Sequence, residues 1–439
     1  MHLGSLNIKD LLLGLYRGTI DCDKQDSKDL WDWAILRDND IWTAHGATVA
    51  AATPYLPGCF DRPPRNPAEK LSSGYKAKEF QTYFFGLAPA LFYGILPEKY
   101  WRHFCKLVNG MRTAHLRKVT RLEMVQAHRY LLEFVHEFEL LFYQCKTSRI
   151  HFVRQSIHLL THIMPETKRS GPLGLYSQWT MERTIGDLTG AMRQPSNPYR
   201  NLTARALQRC QINALEAIIP TLDLNRDADT QLPAGAWDVG NGYVLLRKRD
   251  RRTRRFSLEE KNAVAMYLSG TDLEGNSSLT AELEVRRWAR LRLPNGQVAR
   301  SLWKESAMRQ SYKSVRQACN VKLDFGEVQY YFIMECDDKS ITALAMVSMY
   351  SPPDRALWEF SHGTLWRCEY QGQQNLRVLP VSWIQAVVGM VPFPQLDENG
   401  IQHLPTNTSS FFVVEKMGLD VTYLQQNINA ETLGDDDDT

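Results

Sequence analysis

The chain has 439 residues, 44% apolar and 23% charged, which excludes a disordered or fibrous protein and leaves room for two or three domains, two being expected. A formal net charge of +3 excludes a global basic field, so any contact with nucleic acid has to come from local patches. The eight cysteines are scattered singly with no C-x-x-C pair, which points to reduced, mostly buried thiols of an intracellular protein.

The N-terminus, Met1-His2-Leu3-Gly4-Ser5-Leu6-Asn7, lacks a cationic segment followed by an apolar core, so no secretory leader is expected. Apolar residues recurring at three and four predict helices over 6–16, 30–36, 43–52, 77–85, 100–109, 120–143, 152–163, 178–192 and 203–218. Residues 56–67 carry four prolines and read as an extended crossing loop. The uncharged stretch 80–97 contains Gln81, Thr82 and Pro89 and reads as buried helix, with no membrane span expected. From 223 the character changes, leading into the basic run Arg247-Lys248-Arg249-Asp250-Arg251-Arg252-Thr253-Arg254-Arg255. Strands follow over 288–293 and 297–303, flanking the hairpin turn Pro294-Asn295-Gly296, and over 328–335, 341–350, 364–370 and 376–381. The expected fold is α+β: a helical domain (1–222), a basic linker (223–258), a small antiparallel β-barrel-like domain (259–395) and a flexible acidic tail (396–439).

Few motifs carry chemistry. Glu182 sits in Ser177-Gln178-Trp179-Thr180-Met181-Glu182-Arg183, near the start of a predicted helix. A single carboxylate there complements the helix dipole, whereas two-metal phosphoryl transfer needs several carboxylates sharing cations about 4 Å apart. His158 and His162 lie four apart and would share a helical face able to grip Zn²⁺, but Leu159 stands where a metalloprotease needs Glu, which favours structural histidines. The basic run offers Arg247, Lys248, Arg249, Arg251, Arg252, Arg254 and Arg255 as an import signal or a phosphate-contacting arm, with a solvated linker as the alternative. The C-terminal aromatics, among them Tyr330, Tyr331, Trp366 and Trp383, suit core packing better than a base-stacking platform.

Several segments resemble a known family. They are Met1-His2-Leu3, Tyr16-Arg17-Gly18, Trp31-Asp32-Trp33-Ala34, Thr53-Pro54-Tyr55-Leu56-Pro57-Gly58, Asp61-Arg62-Pro63-Pro64-Arg65-Asn66-Pro67, the stretch 151–162 and the stretch 171–188. Together they resemble the C-terminal half of CACTA-type (En/Spm-like, Plavaka group) fungal DNA transposases, and Phe325-Gly326-Glu327-Val328 and Val387-Val388-Gly389-Met390-Val391-Pro392 resemble the β module that trails those proteins. The resemblance implies that the helical half is the insertion and end of an RNase H-like core whose Asp, Asp, Glu triad holds Mg²⁺ or Mn²⁺ in a complete family member. It makes Glu182 the third carboxylate, with Trp179, Arg183, His158 and His162 in support, and His2 the end of a D-x-x-H element whose Asp precedes the chain. With both Asp ligands outside it, the expectation is a truncated, transposase-derived nuclear (otherwise cytoplasmic) protein with no metal of its own and no strand cleavage alone. DNA is then the ancestral partner, with a full-length transposase or chromatin proteins as further candidates. The alternative is a non-enzymatic chromatin- or protein-binding module.

Overall fold

A computed structural model describes residues 3–60, 62–71, 74–176, 178–192, 196–219, 222, 232–247, 249–269, 284–303, 317–321, 324–335 and 341–418. Its first half is built on α1 (Lys9–Tyr16), α2 (Asn39–Ala51), α3 (Glu98–Ala114), α4 (Arg121–Phe138), α5 (Ile163–Ser170), α6 (Gln178–Gly190) and α7 (Pro198–Ile218), joined by shorter helical turns. Local chemistry sets the ends. The Asp38 carboxylate accepts from the N–H groups of Asp40 and Ile41 to start α2. Thr120 and Glu123 form a reciprocal capping box at α4. Gly18, at φ 62°, turns the chain back after α1, where a side chain would be strained. Helices α3 and α4 approach closely because Gly110 has no Cβ, which would sit 2.5 Å from Leu131 Cγ.

The predicted helix over 30–36 is replaced by short 3-10 turns, Lys28–Leu30 and Ile35–Arg37. Tertiary contacts override the helical spacing there: Trp31 and Trp33 are both buried and stack at 5.3 Å. The stretch 56–67 holds a 3-10 turn, Gly58–Phe60, before a short helix begins at Pro67, and Asp61 lies outside the described residues. The uncharged stretch is core, with Phe80, Tyr83, Phe84, Phe85 and Leu87 all at 3% exposure or less. Among the described residues no helix is long and apolar enough to cross a membrane.

The second half is antiparallel sheet. Strands β1 (Trp237–Gly240), β2 (Tyr243–Leu245), β5 (Arg290–Arg292) and β6 (Val298–Arg300) make a four-stranded sheet, and β3 (Arg254–Arg255) pairs with β4 (Glu284–Val285). A larger sheet contains β7 (Gln317–Val321), β8 (Asp324–Glu335), β9 (Ile341–Met349), β10 (Arg367–Glu369), β11 (Leu376–Pro380), β12 (Ile384–Pro392) and β15 (Ser410–Val414), in the order β10-β15-β12-β7-β8-β9-β11. Two short strands, β13 (Gln395–Leu396) and β14 (Gln402–His403), pair with each other. Helix α8 (Leu258–Ser269) packs on the large sheet through Ala263 and Val264.

The α+β class holds, but among the described residues the sheets are open and no barrel closes: β10 and β11 end the large sheet without pairing to one another. Two expected boundaries move as well. The stretch taken as a basic linker contains β1, β2 and β3, and the stretch taken as a tail supplies β15, which pairs with both β10 and β12. The reason is burial: Phe411, Phe412, Val413 and Val414 are at 3% exposure or less, and an apolar run of that kind does not stay in water. The acidic end beyond residue 418 lies outside the described residues. Val391, Phe412 and Val414 of the sheet share one core with the helices, and Arg112 of α3 donates to the carbonyl of Thr364, joining the two halves.

Candidate functional site

Helix α6 carries Trp179, Glu182 and Arg183, and α7 packs beside it, linked by an Arg209–Asp187 ion pair of 3.6 Å. Glu182 and Arg183 are exposed. The helix begins at Gln178 with no acidic residue in its first turn, so Glu182 sits one turn further in than the dipole argument requires. Among the described residues no three His, Cys, Asp or Glu side chains converge as a metal site would require. His158 and His162 are also exposed and brought together, Nε2 to Nε2 at 3.1 Å, on a turn that passes from α-helix to 3-10 helix. They do not approach a third ligand among the described residues. His2 and Lys248 lie outside the described residues.

The basic run is part of the fold. Arg249 bridges to Trp288 through the backbone, and its guanidinium lies 5.1 Å over that indole. Arg254 pairs with Glu260, its nearest contact 2.5 Å. Burial works against the charge on Glu260, but the bonds from Arg254 and from the Ser257 N–H hold its carboxyl below the usual range. Asp250, the one acid inside the run, accepts from Arg287 at 2.7 Å. Arg247, Arg249, Arg251, Arg252 and Arg255 remain exposed.

The adjoining strands add arginines that the sequence reading passed over. Residues 284–303 hold five arginines against one carboxylate, Glu284. Leu291 and Ala299 face each other across β5 and β6 and are fully buried. The side-chain period of two therefore puts Arg290 and Arg292 on the opposite, outward face, where Arg290 stands directly across from Arg300. Arg286 is exposed beside them. Like charges opposed across strands are unfavourable in isolation. The edge hairpin β1–β2 turns on Asn241 and Gly242, both at positive φ (52° and 82°), a two-residue turn that an Asn-Gly pair signals in sequence.

The aromatic residues do not form a platform. Tyr330, Tyr331, Phe332, Tyr350 and Trp366 are at 5% exposure or less and fill the cores of the large sheet. The buried histidines His45, His103 and His115 carry no metal-ligand spacing. His45 bonds the Tyr83 hydroxyl at 2.7 Å, and His103 stacks on Phe134 at 4.1 Å. No protein-family model, curated protein or solved structure matches the chain.

Proposed function

We propose that this protein is transposase-derived and holds nucleic acid by its phosphates on an arginine patch formed by the four-stranded sheet and the adjoining bend at Arg251 and Arg252, without cleaving strands itself. The observation that carries the binding reading is the concentration of arginines on adjoining strands of a chain whose net charge is only +3. Phosphate neutralisation by clustered cations releases counterions and requires no base-specific contact. The three ion-paired or stacked arginines, Arg249, Arg254 and Arg287, anchor the segments around β5, which presents Arg290 and Arg292, and the bend before β3, which presents Arg251 and Arg252. The transposase ancestry rests on the segment resemblance, and nuclear residence and docking to chromatin proteins or a full-length transposase belong with it.

Glu182 is exposed on α6, and a lone carboxylate does not by itself clamp the paired cations of a two-metal centre. Duplex binding followed by fluorescence anisotropy tests the proposal. The full chain should bind, and the combined R251Q/R252Q/R290Q/R292Q variant should bind at least about tenfold more weakly, a loss on the order of 1.4 kcal/mol. Equal affinity would remove the patch as the interface. Mn²⁺-dependent nicking that disappears in Glu182→Gln would overturn the non-cleaving part.

A further inference from the structure

A cavity of about 390 Å³ lies against α1, lined among others by Lys9, Asp10, Arg17, Asp21, His151 and Arg154. The spacing of eight places Lys9 and Arg17 on one face of the helix, with Leu13 between them. Gly14 makes the cavity's wall possible. After the reversal at Gly18 the chain packs back over α1 so closely that a Cβ on Gly14 would sit 2.9 Å from Ile20 Cγ1.

The cations here are under-compensated. Lys9 is 6% exposed, and its ammonium lies 3.4 Å from the centroid of the Phe80 ring. The Arg17 guanidinium lies 4.5 Å over Trp42. Among the described residues neither has a carboxylate at ion-pair distance. Arg154 reaches Asp10 at 3.3 Å, but the Asp10 side chain is 69% exposed and screened by water. Asp21 is also exposed, and its carbonyl accepts from His151 Nε2 at 2.7 Å, which turns that ring's Nδ1 away from the bond. The two carboxylates and Arg154 are thus exposed, while Lys9 and Arg17 lie deeper. Burial lowers Lys9 to about 8, partly offset by Asp10, and lowers Arg17 as well, so both charges are held at a cost that an anion would remove.

We propose that this cavity binds a phosphate dianion, free or as a terminal monoester, with Lys9, Arg17 and Arg154 as its cationic ligands and His151 at its edge. Two uncompensated charges match a dianion, and two guanidinium forks suit the several oxygens of a phosphate better than a single carboxylate. The site is separate from the arginine sheet and does not depend on it.

Titration calorimetry on the full chain tests it with three probes: inorganic phosphate, a 5′-phosphorylated dinucleotide and the same dinucleotide with a 5′-hydroxyl. Binding of inorganic phosphate alone, of the 5′-phosphorylated dinucleotide alone or of both supports the proposal and tells free phosphate from a nucleic-acid end as the source. Lys9→Met and Arg17→Gln should each weaken that binding about tenfold or more. Lys9→Met also removes a buried unpaired charge, so it should melt no lower than the unsubstituted chain without phosphate and lose the rise in Tm that phosphate produces. Failure of both phosphate probes to bind, undiminished binding by Lys9→Met and Arg17→Gln, or equal binding of the 5′-hydroxyl dinucleotide would overturn it.

Discussion

Asp26 and Arg149 show how a contact between single residues can hold a loop that has no secondary structure of its own. Their side chains pair at 2.5 Å with almost no exposure, Trp31 Nε1 donates to the same carboxylate at 3.2 Å, and Arg149 lies 5.0 Å over Trp33. The hydrogen bonds from Arg149 hold the Asp26 carboxyl below its usual range. Removing one partner leaves the other charge buried, so Asp26→Ala should destabilise by about 3–5 kcal/mol in urea unfolding. The tryptophans were legible as apolar residues in sequence, but their role was not, because Arg149 is 123 residues from Asp26. Buried histidines make a second prediction at this scale. Burial pushes His45 and His115 down to about 4 and His103 to about 3, so the folded chain stays unprotonated where the unfolded one, titrating near 6.5, takes up protons. Stability should therefore fall as pH drops from 6.5 toward 4. Glu415 acts oppositely, since burial raises it to about 7 and the folded state then holds a proton that the unfolded state has lost. With His362, which burial also lowers to about 4, four histidines outweigh it, and the unfolding free energy at pH 5 should be lower than at pH 7 by roughly 5 kcal/mol. A flat profile would show that the histidines do not titrate on unfolding.

The elements divide by how much of their pattern was local. Helix α4 was readable because its capping box and apolar stripe both lie within its own sequence. The hairpin β5–β6 was equally readable from Pro294-Asn295-Gly296, whose turn closes with the Gly296 N–H donating to Leu293 at 2.9 Å. The hairpin β1–β2 carries the same kind of signal in Asn241-Gly242 but stands beside a basic run that drew the reading toward a linker. Gly242 at φ 82° tolerates no side chain cheaply, so Gly242→Ala should cost on the order of 1 kcal/mol or more and loosen the sheet edge. Strand β15 was missed because a four-residue apolar run does not announce its partners, here β10 and β12. Helices α6 and α7 behave differently again: none of their described residues is buried. Hydrogen exchange should open α6 and α7 well before α3 and α4, and matching protection in all four would contradict their placement at the surface.

At the scale of the whole molecule the two halves share one core cluster through Val391, Phe412 and Val414 of β12 and β15, and the arginine-bearing sheet packs in a separate cluster with strands of the large sheet. The net charge hides this arrangement, because a count over 439 residues averages a dense local patch with acidic surface elsewhere. Composition could say only that any nucleic-acid contact would be local, and strand pairing decides where that locality lies. Glu182, which stood out in the sequence, is exposed on α6. The arginines of β5 and β6 did not stand out until their register was known. The most direct test of the account is the salt dependence of duplex binding by the full chain and by R251Q/R252Q/R290Q/R292Q. Each phosphate contact adds about 0.9 to the slope of log K against log salt concentration, so the substituted protein should bind more weakly with a slope shallower by roughly 3 to 4. An unchanged slope and affinity would contradict a phosphate-binding role for the arginine patch of the four-stranded sheet and the bend at Arg251 and Arg252.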